Sequence, residues 1–181
     1  PFAYWTSPRV KEVFASARSL ADYVSPTHGI ATGDNDTFLR QWHEVGSSRT
    51  GFGMLNRDEA KASKCRWFPV TKGGSYRKWY GNNEFVINWE NDGHLLQTLK
   101  HSTGRIRATN FNLGRIFREG ITWSTLSSDS LSMRYSPPGM IFESKGSTCF
   151  CHDRQTLLAA LALCNSNLVN VFLLALAPTL D

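Results

Sequence analysis

The chain has 181 residues, of which 41% are hydrophobic and 19% charged, and carries a formal net charge of +5 with an isoelectric point near 9.2. That length fits one domain, here residues 1–181, and the composition supplies a core while excluding a long disordered or low-complexity tract. The basic excess is compatible with a polyanionic partner but does not by itself identify one.

In chain order, SPRVKEVFASAR (7–18) predicts a helix. Ser7 suits an N-cap, Pro8 the first helical position, and Val10, Val13, Phe14 and Ala17 fall on one face. SLADYV (19–24) reads as a shorter helical turn before Pro26, and HGIATGDND (28–36) as turns. TFLRQWHEV (37–45) alternates Phe38, Arg40 and Trp42 against Leu39, Gln41 and His43, which predicts a strand. Residues 46–63 are polar and rich in Gly and Ser, a loop or insertion with a weak helical hint at NRDEAKAS. CRWFPV (65–70) and EFVINWE (84–90) predict strands, so KGGSYRKWYGNN (72–83) is an exposed connection between them. NDGHLLQTLK (91–100) predicts a helix. GITWSTLSS (120–128), LSMRYS (131–136), GMIFES (139–144) and STCFCH (147–152) are short strand-like runs broken by Ser, Pro and Gly. DRQTLLAALALC (153–164) and SNLVNVFLLALA (166–177) carry apolar residues at helical spacing. Helix, then strands, then paired helices predicts an α+β fold with a mixed, largely antiparallel sheet.

No catalytic signature stands out: G-x-S-x-G, the phosphate-binding loop, H-E-x-x-H and N-P-P-Y are all missing. GFGM (51–54) lacks the full G-x-G-x-x-G pattern, and SPPGM (136–140) reads as a turn. None of Cys65, Cys149, Cys151 and Cys164 has zinc-type paired spacing, and CFCH reads as two small buried thiols. Asp34 and Asp36, with Glu44, are metal-ligand candidates whose plainer reading is turn and cap formation. The run LVNVFLLALAP (168–178) is too short to span a bilayer and no secretory leader opens the chain, so the reading is cytoplasmic, without a membrane. Pro1 without a methionine, and an end at APTLD, suggest a piece of something longer.

Binding features are richer. Lys72, Arg77 and Lys78 can neutralise phosphates, while Gly73 and Gly74 allow close backbone approach. Trp79 and Tyr80 offer ring faces, and Asn82 and Asn83 paired donors and acceptors. The competing reading makes Trp79 core, the asparagines a turn and the cations solvated. A second basic group, Arg105, Arg107, Arg115 and Arg118, lies within GRIRATNFNLGRIFREG.

TGDNDTFLRQWHEV, RWFPVTKGGSYRKWYGNNEFVINWENDG, FREGITWS, RYSPPGMIFESKGST and LCNSNLVNVFLLALAPTL follow one another along the chain. Together they closely resemble the region after the catalytic domain in BREX phage-defence adenine-specific DNA methyltransferases (PglX-like) and related type IIG-like restriction–modification enzymes. The resemblance implies the first part of a target-recognition domain, whose partners are double-stranded DNA and the methyltransferase domain of a parent chain. In that family a separate Rossmann-like domain binds S-adenosylmethionine and an N-P-P-Y motif holds the flipped adenine. Both are missing here, which implies no cofactor and no catalytic or metal-binding residue in this chain. At the end, Ala177 stands where the family commonly has Asn.

A signature shared by enzymes with different targets should not read bases. Residues 72–83 are therefore expected to meet phosphates or serve as scaffold, with base reading in residues 46–63 and 100–115. The expected DNA-facing set is Lys72, Gly73, Gly74, Arg77, Lys78, Tyr80, Asn82, Arg115 and Arg118. The alternatives are a metal-dependent nuclease on Asp34, Asp36 and Glu44, or a protein-docking piece using Phe172 and Leu176.

Overall fold

The structure is a computed structural model that describes residues 7–125 and 130–176. In chain order the elements are α1 (Pro8–Ser16), β1 (Ser25–Thr27), α2 (Asn35–Phe38), β2 (Leu39–Gln41), α3 (Arg57–Ala62), β3 (Trp67–Thr71), β4 (Phe85–Asn88), α4 (Glu90–Thr98), β5 (Gly120–Trp123), β6 (Met133–Ser136), β7 (Ile141–Phe142), β8 (Thr148–Phe150), α5 (Arg154–Cys164) and α6 (Asn167–Leu176). The strands form two four-stranded sheets, β1-β8-β5-β6 and β2-β4-β3-β7. Among the described residues the pairings of these strands are antiparallel except β3 with β7. The fold is α+β as expected, but the strands divide between two sheets.

β8 explains how the layers stack. Side chains alternate along a strand, so Phe150 points into one core and Cys149 into the other. Phe150 joins Phe38, Phe68, Ile87, Trp89, Phe117 and Phe142 around the second sheet, with Phe142 and Phe150 rings 5.3 Å apart. Cys149 joins Ile121 and Met133 beneath Leu157, Ala160, Leu161 and Cys164 of α5. The 3-10 turn Ser144–Gly146 carries the chain from β7 to β8. The Gly146 carbonyl accepts from the hydroxyls of Thr71 on β3, at 3.3 Å, and Thr122 on β5, at 3.0 Å. A Cβ at Gly146 would sit 2.6 Å from the Thr71 oxygen, so the junction requires glycine.

Local caps account for several departures from the sequence reading. Asp34 accepts from the backbone N–H of Thr37 at 3.1 Å and starts α2, which takes Thr37 and Phe38 from the expected strand 37–45. The Gln41 N–H then donates to Glu44 at 2.6 Å, and a 3-10 turn Trp42–Glu44 ends the strand after three residues. Side-chain-to-backbone bonds outcompete alternation here. Pro26 lies within β1, where no strand was expected; β1 is an edge strand, which tolerates a missing donor. Within 46–63, Asn56 caps α3 and Ala60 is buried in the core. α4 opens with Asn91, Asp92 and Gly93 in left-handed geometry and becomes regular only beyond them.

α1 has the expected Ser7 cap and Pro8 start, yet Val13 and Phe14 remain exposed. Among the described residues its ring contact is between Phe14 and Phe172, at 6.0 Å. Residues 126–128 of the predicted strand, Ala177 and the Leu176 side chain lie outside what is described. Among the described residues no single helix is long and apolar enough to cross a membrane.

Candidate nucleic-acid interface

The connection 72–83 leaves β3 and returns in β4, both in the second sheet, yet it is pinned to the first. The Trp79 N–H donates to the Met133 carbonyl at 2.9 Å, and the Tyr135 N–H donates to the Trp79 carbonyl at 2.8 Å. Trp79 thereby adds one rung outside β6. The loop can bend this sharply because Gly73, Gly74, Trp79, Gly81 and Asn82 all have positive φ. Gly73 approaches the Lys145 carbonyl so closely that a Cβ would lie 2.4 Å from its oxygen. Gly74 is held by Ser124, whose hydroxyl donates to its carbonyl at 2.9 Å. Asn82 is buried and its amide donates to the Ser75 carbonyl at 2.8 Å, closing the loop across its base.

The loop's cations have different surroundings. Lys78 Nζ donates to the Asn165 carbonyl at 2.7 Å, at the C-terminal cap of α5, where the helix dipole favours a cation. Asn165 also clasps Met133 from the side, accepting from its N–H and donating to its carbonyl, each at 2.9 Å. Lys72 Nζ lies 4.6 Å above the Phe85 ring. Arg77 stands 3.6 Å from Glu84, with both side chains about half exposed, which leaves it able to exchange partners.

Beneath the loop sits Arg134, 1% exposed. Its guanidinium donates to the carbonyls of Arg77 and Ser132, both at 3.4 Å, and to the Ser124 hydroxyl at 3.3 Å. Nε has no partner, and among the described residues no carboxylate lies within ion-pair distance of it. Burial lowers the Arg134 pKa; Glu84 opposes the shift and Arg77 adds to it. Neither Arg134 nor Asn165 was singled out from the sequence. An Arg in MRYS reads as an outward strand residue, and no local signal announces the loop that covers it.

The second basic group is dispersed. Arg115 lies 5.4 Å from the Phe150 ring, and Arg107 pairs with Asp34 at 3.1 Å. Arg118 is exposed and lines an open cleft of about 500 Å³ with Asn56, Arg57, Lys61, Asp92 and Gly114. Arg57 makes a two-point ion pair with Asp92, tying α3 to the left-handed start of α4. The cleft thus brings part of residues 46–63 together with residues 113–118.

The metal-ligand candidates do not converge. Asp34 is a cap: the Thr37 N–H and hydroxyl, and then Arg107, hold its carboxyl below the usual range. Glu44 caps its own turn. Among the described residues no group of three or more His, Cys, Asp or Glu is placed to hold a metal ion. The four cysteines are free, and burial, reinforced by nearby Cys164, pushes the Cys149 thiol up to about 12.

No family model matches the chain. It is 45% identical over 183 residues to the adenine-specific methyltransferase PglX of Lacticaseibacillus casei (strain Zhang), aligning over its whole length with 15% of that protein. It is 37% identical over 184 residues to the adenine-specific methyltransferase BrxX of Escherichia coli O9:H4 (strain HS), again over its whole length and 14% of the relative. The chain is a homologue of one segment of these methyltransferases.

Measured against those relatives, the chain spans about 15% of their length. The methyltransferase-homologous segment includes the whole of loop 72–83, the Arg134 clamp beneath it and the cleft around Arg118. β3, the strand that leads into paired glycines, continues into a clamped loop and not into a helix N-terminus, and no G-x-G-x-x-G pattern occurs in the chain.

Proposed function

We propose that this chain is a duplex-DNA recognition segment of an adenine-specific DNA methyltransferase of the BREX phage-defence type, acting in the cytoplasm. It performs no chemistry of its own; methyl transfer from S-adenosylmethionine belongs to a methyltransferase domain with which it works. The observation that carries the reading is loop 72–83. It is clamped from inside by Lys78, Asn82 and Arg134, and it presents Arg77, Tyr76 and Tyr80 to solvent. In this reading Arg77 and Lys72 meet phosphates, with Arg115 and Arg118 as further contacts. Gly73, Gly74, Lys78 and Asn82 set the loop's shape, and Tyr80 reaches sugar. Base reading falls to the stretches 46–63 and 100–115, which meet in part around the cleft.

The test is fluorescence anisotropy with a random-sequence duplex from roughly 50 to 200 mM salt, where several phosphate contacts should cost orders of magnitude in affinity. Arg77→Ala should weaken binding to all sequences alike and lower the salt slope by about one. Absence of binding at low salt would refute the proposal for this chain. A docking role can coexist with it, favoured by the exposed Val13, Phe14, Leu168 and Val171 around the Phe14–Phe172 contact.

A further inference from the structure

The clamp under loop 72–83 raises the question of what it holds in place. Trp79 has φ +76, a left-handed conformation that is rare and costly for a bulky side chain. Glycine would meet that backbone demand without strain. Nor is the indole needed for packing, since it is 53% exposed. Its neighbours Tyr76 and Tyr80 are 54% and 61% exposed. Trp42, also exposed, donates its N–H to the Glu84 carbonyl at 2.9 Å and so borders the loop's far end. Between Lys72 and Glu84 there is no Leu, Ile, Val, Met or Phe, but there are three aromatic residues and three cations. The loop thus offers ring faces and positive charge without aliphatic surface.

We infer that Tyr76, Trp79 and Tyr80 are a stacking site for unpaired nucleobases, so that the chain prefers DNA with an extrahelical base to a fully paired duplex. The inference rests on the DNA-binding reading above and deepens it. A paired duplex hides its base faces and offers phosphate oxygens, which suit Arg77 and Lys72. An unpaired base exposes a π face that every base possesses, so a ring can hold it without reading sequence. A cation next to the ring neutralises the phosphate that accompanies the stacked base. A rigid backbone favours this use because little loop entropy is lost on binding. The charge of the loop sets a polyanion above an apolar protein surface as its occupant.

The experiment compares three labelled probes at one salt concentration: a short duplex, the same duplex with a single-nucleotide bulge, and the single strand. The bulged duplex should bind about tenfold tighter than the intact one, the scale expected for stacking one base on an aromatic side chain. Trp79→Ala and Tyr80→Ala should abolish that preference, whereas Trp79→Phe should keep most of it. Arg77→Ala should weaken all three probes alike. Tyr80→Ala guards against misfolding, because its side chain projects into solvent. Equal affinity for bulged and intact duplexes would overturn the stacking site while leaving DNA binding intact. No binding to any probe at low salt would overturn both. Salt-insensitive self-association abolished by Tyr80→Ala would also overturn the inference, assigning the rings to protein contact.

Discussion

Arg134→Met separates what holds the fold from what holds the loop. Arg134 is fully buried, no acid among the described residues pairs with it, and its hydrogen bonds of 3.3–3.4 Å are long. Replacing a buried ion by an apolar side chain of similar volume commonly ranges from neutral to about 1–4 kcal/mol stabilising. Against that gain stand three acceptors that lose a donor. Arg77 is exposed and Ser124 partly so, and water can replace the guanidinium there. Ser132 is buried, and leaving its carbonyl unpaired costs about 1–2 kcal/mol. The balance lies between a loss of about 2 kcal/mol and a gain of about 3 kcal/mol in unfolding free energy. Urea denaturation is the assay. Arg134→Ala is the control, because it empties the volume as well and should fall about 2–5 kcal/mol below the Met variant. DNA affinity should drop in Arg134→Met even as stability holds, since the Arg77 carbonyl loses its tether. A loss of more than about 2 kcal/mol in Arg134→Met would refute the reasoning and make Arg134 a net structural asset.

Asn165→Ala should cost about 2–3 kcal/mol in the same denaturation, because it strips two hydrogen bonds from Met133 and leaves a buried N–H unpaired; a change below about 0.5 kcal/mol would contradict the clasp. Thiol labelling of the native chain at mildly alkaline pH should modify Cys65 and Cys151 while sparing Cys149, held near 12, and Cys164, also raised by burial. Rapid native labelling of Cys149 would show that its core opens. Asp34 and Asp153 have carboxyl pKa values lowered by their Thr37 and Thr156 cap donors, so their stabilisation is full above the ordinary carboxylate range and is lost as pH falls through the lowered values. Asp153→Asn keeps a cap acceptor without the titration and should flatten the fall of melting temperature below about pH 4, whereas an unchanged acid limb would place that dependence elsewhere.

The parts of the fold legible in the sequence are those with local causes. Ser7-Pro8 begins α1, Asp153 begins α5, β4, β5, β6, β7 and β8 each lie within the predicted runs, and β3 overruns its own by Thr71 alone. α2 was hidden although its cap, Asp34, is local, because alternation over 37–45 mimicked a longer strand. The left-handed Asn91-Asp92-Gly93 turn was written in its composition, since Asn, Asp and Gly tolerate that conformation best, but Leu95 and Leu96 drew the reading toward a helix from the start. The site was legible in one respect and opaque in another. Its residue types, cations among rings and glycines, stood out at once. Which of them are committed inward depends on contacts far apart in the chain: Lys78 to Asn165, Arg77 to Arg134, and Gly73 against Lys145. Those contacts divide the loop's labour. The side chains of Lys78 and Asn82 and the carbonyl of Arg77 are bound beneath, while the rings and the Arg77 side chain face outward, so the loop meets a partner with its shape already set.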